Sequence, residues 1–380
     1  MRGEAREIAM KKRLIRDEKG YILIAALLVL LVVGLISGPV LSYMVSGLRA
    51  GHVFETGAAE LYAADGGVTY ALWKIKDSGL CPGNLPQSYP INVDGKSVAV
   101  NITNAGGGTY KVISNATTGN NSHTTVVAYV DVTFTSFLDN AITSNGDVWI
   151  QNKVTVNGTV QYGGNLDNKG TINGQNISEK YPKWPTAGEL STRYWEDVKN
   201  VTPWGADSLD VKDYPNPGPL QRTTGNLNLA IYSSVKDKVA TLQGTVYVKG
   251  NLDIGKSQQD FTLDLNGKTI YCEGDIYIGP GITLRGSGCI IAKGNIQFQP
   301  NMQSVSSDFV LVMSLEKNVT LQPSGGTFYG SIAGTSVESD IDLKVDVVWE
   351  PIPAGGINFP TEGYETVKTA TISNWEVSRQ

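Results

Sequence analysis

TVYVKGNLDI, residues Thr245 to Ile254, returns as TIYCEGDIYI at Thr269 to Ile278 and as CIIAKGNIQF at Cys289 to Phe298. Laid over one another, the three segments put Val246, Ile270 and Ile290 in one column and Val248, Cys272 and Ala292 in a second. Leu252, Ile276 and Ile296 make a third column, and Ile254, Ile278 and Phe298 a fourth. The pairs Gly250-Asn251, Gly274-Asp275 and Gly294-Asn295 stand at the same corner each time. Strand, corner, strand at steps of 24 and 20 residues is the pattern of a parallel β-helix, in which each turn buries its apolar positions against the next. A sandwich or a series of hairpins gives no reason for four apolar columns in register.

Before the repeat, NGDVWI (Asn145 to Ile150) and GGNLDN (Gly163 to Asn168) read as earlier turns at a step of 18. FVLVMSLEKNVTL (Phe309 to Leu321) and TFYGSIAG (Thr327 to Gly334) read as later ones with looser alignment. The β-helix is therefore expected over 139–380. Residues 178–225, rich in Pro and Trp, interrupt the repeat and read as an ordered excursion packed on its side, with a short helix over 191–199. The alternative use of those aromatics is a ligand groove. LKVDVVWEP (Leu343 to Pro351) and TATISNWEVS (Thr369 to Ser378) read as closing strands or a cap.

Residues 79–138 alternate in shorter bursts, YPINV, VAVNIT, TYKVIS and TVVAYVDVTF, separated by Asp94-Gly95, Gly106-Gly107-Gly108 and Gly119-Asn120-Asn121. Four such strands fit an antiparallel meander. Before them, residues 21–48 contain no charged side chain. As a helix they would reach roughly 40 Å, enough to cross a hydrocarbon core of about 30 Å with some tilt. Such a run is too long for the core of a cleavable secretory signal. It suits an uncleaved anchor, and Arg2, Arg6, Lys11, Lys12, Arg13, Arg16 and Lys19 ahead of it favour a cytoplasmic N-terminus.

A third reading starts from Lys19-Gly20 followed by Tyr21, which is similar to the prepilin peptidase site of type IV pilins and type II secretion pseudopilins. Cleavage after Gly20 would remove a leader of residues 1–20 and leave Tyr21 as the N-terminus. AELYAADGGVTYALWKIK (Ala59 to Lys76) resembles the helical stretch of PilX-type minor pilins, in which an acidic residue and a glycine interrupt an alanine-rich helix at the membrane surface. Those positions here are Asp65 and Gly66. Independently of the resemblance, Leu61, Ala64, Val68, Leu72 and Ile75 recur at three- and four-residue steps, so 49–78 reads as an amphipathic extension of the membrane helix. Where major pilins carry a glutamate four residues into the mature chain, this one has Ala25, so the resemblance implies a minor subunit.

The Gly-Asn and Gly-Asp corners are in turn similar to those of bactofilin-like, polymer-forming coils. Together the resemblances imply a mainly β protein: a long N-terminal membrane helix with an antiparallel sheet, then a parallel β-helix outside the inner membrane. They also imply a structural role in a type IV pilus-like system, with prepilin peptidase, the membrane and other pilins or pilus assembly proteins as partners. A tip or adhesive position would add a surface polysaccharide or host ligand.

Chemistry is sparse. GNLDIGKS at 250–257 matches a phosphate-loop pattern, yet Leu252 and Ile254 belong to the apolar columns and the following QQDFTLDLNG alternates as a strand, where that loop needs a helix. His52 and His123 are the two histidines, which argues against a His-based metal site or catalytic triad. Asp253, Glu273 and Asp275 are candidates for the paired acids of glycosidic chemistry, but Asp253 shares its column with Tyr277 and Gln297, so no acidic ladder forms. A net charge of −5 offers no basic patch for nucleic acid. No cofactor, metal or enzymatic activity is expected. Cys272 and Cys289 are out of register for a stacked bridge and read as packed thiols, with Cys81 in a loop.

Overall fold

The structure, a computed structural model, describes residues 4–78, 80, 84–117, 123–230, 238–255, 260–323, 325–339, 345–353, 356–360 and 364–379. Cys81, the Gly119-Asn120-Asn121 turn, Leu343 and the Lys256-Ser257 end of the phosphate-loop pattern lie outside them. Two compact units divide the chain. Met1–Asp77, Asn84–Asp131 and Ala370–Gln380 form the first, and Ser78–Gly83 with Val132–Thr369 form the second.

In the first unit a single helix, Glu4–Ser78, leads into the expected meander: Gln87–Val93, Lys96–Gly106, Thr109–Thr117 and His123–Thr135, each antiparallel to the one before. Asp94 and Gly95 both take positive φ, 48° and 75°, the primed turn whose twist matches a hairpin. Burial alternates residue by residue along Thr109–Thr117 and most of His123–Thr135, so one face is apolar and the other wet. The sheet gains a fifth strand from the far end of the sequence. Thr366–Arg379 lies beside His123–Thr135, and Ser373 donates to the Tyr129 carbonyl. TATISNWEVS, expected to close the β-helix, completes this sheet instead.

The second unit is the parallel β-helix. Each turn is a strand, a corner, a strand, a corner and a third strand, so stacking builds three parallel sheets around one apolar core. All four expected columns are in register: Val246 with Ile270 and Ile290, Val248 with Cys272 and Ala292, Leu252 with Ile276 and Ile296, Ile254 with Ile278 and Phe298. The corners explain the Asn and Asp residues. The amide of Asn251 donates to Asn226 Oδ1 (2.9 Å), that of Asp275 to Asn251 Oδ1 (3.0 Å), and that of Asn295 to Asp275 Oδ1 (2.6 Å). Each side chain thus satisfies a backbone donor of the next turn that would otherwise be unpaired at the bend.

Stacking order departs from sequence order. On the second sheet the strands run Ser208–Asp210, Leu227–Ala230, Leu252–Ile254, Ile276–Ile278, Ile296–Phe298, Asn318–Leu321, Ser336–Ser339, and only then Val148–Ile150 and Leu166–Asn168. The other faces agree: Ile332 pairs with Ile142, and Val345–Val348 pairs with Val154–Asn157. The chain therefore enters its own solenoid inside the stack, two or three turns from one end, winds to that end at residue 178, crosses back, and winds from 208 to meet its starting turn at 332–348. LKVDVVWEP is not a cap, since its strand lies between Thr327–Tyr329 and Val154–Asn157.

The crossing segment is the excursion, narrower than 178–225 because Ser208–Asp210 and Leu220–Arg222 are regular strands of the stack. Its helix is Ala187–Val198, opened by a capping box in which Thr186 and Glu189 exchange hydrogen bonds. The bond from the Thr186 backbone N–H holds the Glu189 carboxyl below its usual range. Leu190, Tyr194 and Val198 cover the outer side of the first sheet, where Tyr247, Tyr271, Ile291 and Leu311 form a second apolar cluster. Trp184 donates to the Leu315 carbonyl (3.1 Å) and Trp195 meets Tyr247 edge-on at 5.5 Å. These aromatics are packing, not a groove.

Cys272 and Cys289 are free and buried, and burial pushes both thiols up from an ordinary 9.0 to about 12. An unfolded chain ionises these thiols near 9, so the folded state retains protons the unfolded state loses. The resulting contribution is fully present below pH 9 and is lost as pH rises towards 12. Stability of a Cys81→Ser chain is expected to decline across that window, with no thiol labelling at pH 8 until denaturant is added. Rapid labelling of the folded protein would contradict the packing.

Candidate membrane and assembly helix

Helix Glu4–Ser78 passes through Gly20, Tyr21, Pro39, Asp65 and Gly66 without a break. Its chemistry changes along its length. From Tyr21 to Glu55 every residue is exposed, and the most apolar 18-residue window has a mean hydropathy of 2.8 with none of it buried. Leucine, valine and isoleucine circle the whole helix, which is the pattern of a helix surrounded by lipid or other apolar helices. By length and composition it can cross a membrane.

From Gly57 onward the helix is two-sided. Ala63, Ala64, Val68, Ala71 and Ile75 are buried, and the sheet supplies Val98, Val100, Ile102, Val112, Val126 and Ala128 as the other half of the core. Small residues on this stripe let helix and sheet approach closely. Gly67 is the tightest point: a Cβ there would sit 2.9 Å from Val98 Cγ1 and 3.0 Å from Val100 Cγ2, and closer still to Ser114 Oγ. Gly66 is less constrained, its nearest neighbour being Val93 Cγ1 at 3.1 Å. At Gly57 the Arg379 guanidinium lies against the helix and donates to the Val53 carbonyl at 3.2 Å.

Polar groups are placed with partners. Glu60 is fully buried and accepts a hydrogen bond from Thr124 Oγ1 at 3.2 Å. Asp65 is exposed at the rim of a shallow pocket with Val68, Val126, Ala128, Ile372 and Trp375. Lys74 Nζ lies 4.9 Å from the Trp73 ring and 5.6 Å from that of Tyr89, within cation–π range. Phe54, Tyr62 and Trp73 are 76, 75 and 50% exposed, with Trp73 resting against Tyr70 at 5.7 Å.

No family model matches this chain, and no curated protein sequence does. Among solved structures it is similar to the competence-associated pilin ComZ of Thermus thermophilus, at 10% identity and a TM-score of 0.30, covering 85% of this chain and 97% of that one. A likeness at that score fixes neither fold nor role.

The structure brings together Asp65 and the sheet edge at Ile372 and Trp375, and leaves Gly20 and Tyr21 on the continuous helix far along the chain from both. Gly67, Glu60 and Arg379 escaped the sequence reading. Gly67 had a signal, as the second glycine of a pair at three- and four-residue steps from Ala63, Ala64 and Ala71. Glu60 and Arg379 had none, since a charge on a helix and another near a chain end are ordinarily solvated.

Proposed function

We propose that this chain is a PilX-like minor pilin of a type IV pilus-like system, acting by assembly and not by catalysis. The observation that supports it most is the two-part helix: exposed from Tyr21 to Glu55 and free of charge up to Leu48, then amphipathic and packed on an antiparallel sheet from Gly57. The first part holds the subunit in the membrane and passes into a bundle with other pilins, while the exposed Phe54, Tyr62 and Trp73 extend the same contact beyond the bilayer. The solenoid is the outward cargo, a priming or adhesive surface. Filament growth through solenoid ends is disfavoured. At the last turn the inner columns of Ile150, Val160 and Tyr162 continue as Asn168, Asn176 and Ser178, and at the other end Trp204 packs against the core.

N-terminal sequencing and intact mass of the protein from its host's membranes and sheared fibres test the reading. Processing is expected to leave Tyr21 first, and Gly20→Leu to block it. A chain retaining Met1 and confined to membranes would overturn the proposal in favour of an uncleaved anchor.

A further inference from the structure

On the outer side of the second sheet one residue per turn faces away from the core. Tyr277, Gln297, Thr320, Glu338, Trp149 and Asp167 are paired in direct succession, so they form one straight row. Gln297, Glu338, Trp149 and Asp167 are exposed, Trp149 by 36%. None of the six is aliphatic, while nine of the twelve inner positions on the same strands are. Neighbouring amides hold the Tyr277 end in place: Tyr277 Oη donates to Gln299 Oε1 (3.1 Å), and Gln299 Nε2 to Gln322 Oε1 (2.6 Å). Trp149 stands between Glu338 on one adjoining turn and Asp167 on the other.

We infer that this row is a binding track for a linear polysaccharide of amino sugars. Successive turns are about 4.8 Å apart, close to the advance of one pyranose in an extended chain, so a polymer lying along the solenoid axis meets one residue per sugar. Indole faces stack on the C–H face of a sugar ring, and amide, hydroxyl and carboxylate groups receive its polar substituents. Charge selects the type of sugar. The six hold two carboxylates and no base, Asp253 continues the row beyond Tyr277, and Lys169 pairs with Asp167 at 3.7 Å. Carboxylates on both sides of Trp149 complement a protonated amine and repel a uronic acid. This inference concerns the solenoid alone and does not depend on how the N-terminus is processed.

Calorimetric titration of the full chain in detergent micelles with a β-1,4-linked glucosamine hexasaccharide, at a pH where its amines are protonated, tests it. Saturable binding is expected, weakened at least tenfold by Trp149→Ala, largely restored by Trp149→Phe, and less salt-dependent in Glu338→Gln. Hexagalacturonate is expected not to bind. Absence of binding, equal binding of hexagalacturonate, or an affinity unchanged in a folded Trp149→Ala chain would each overturn the assignment. Should Trp149→Ala lose its β-sheet circular dichroism, Trp149→Phe and Glu338→Gln carry the test.

Discussion

Replacing Ile332 with aspartate is expected to split the solenoid into two separately unfolding blocks. Ile332 is completely buried in an inner column, paired with Val312 on one side and Ile142 on the other. Its amide donates to the Ala141 carbonyl at 2.9 Å, so both side chain and backbone sit at the joint where sequence-distant turns meet. An unpaired carboxylate there would lack a partner in an aliphatic environment, at a cost of about 3–5 kcal/mol. The 142–178 turns would detach and expose Ile142, Val148 and Val156, all within 2% of full burial. Limited proteolysis should then cut within 142–178 while 220–321 stays protected, and chemical denaturation should show two transitions. Ile332→Val, which removes one methylene, should cost about 0.5–1.5 kcal/mol and keep one transition. A single unshifted transition in the aspartate variant would refute the joint.

The second large effect concerns the adjacent glycines Gly66 and Gly67 on the sheet-packed part of the helix. Gly67→Leu is expected to lift the helix from the sheet, because even its Cβ would press on Val98, Val100 and Ser114 at once. Overpacking of this kind costs about 1–3 kcal/mol, and the remaining three carbons have no space to enter. Gly66→Ala should be mild, as its contact with the Val93 side chain at 3.1 Å can relax and alanine favours helix by about 1 kcal/mol over glycine. Hydrogen exchange of amides 57–78 in micelles distinguishes the two: protection should collapse in Gly67→Leu and persist in Gly66→Ala. Equal protection in both would show that helix and sheet do not depend on this approach.

Legibility followed distance along the chain. The columns through Val246, Ile270 and Ile290 were readable because consecutive turns are also neighbours in space, and periodicity reports that relation alone. The pairing of Ile332 with Ile142 leaves no periodic trace, since any turn with apolar inner positions could occupy that place. Thr327–Gly334 aligned loosely for a local reason. It is one strand serving two faces, bending at Gly330, whose φ of 143° and closeness to the Val310 backbone exclude a side chain. The helix extension at 57–78 was visible from its three- and four-residue spacing, whereas its glycine contact depended on which of two adjacent residues faced Ser114. A rotation of about 100° per residue decides that, and the sheet supplies the answer.

Entry into the solenoid from within the stack also sets how it would carry force. The connections to residues 135–142 and from 348 onward both leave from turns that lie against one another. Tension applied through the two connections would load that joint in shear. The segment after 348 also grips turns farther along the stack, with Asn358 bonded to Gly267, Thr269 and Thr245, so those turns would share the load while the 160–178 end carries little of it.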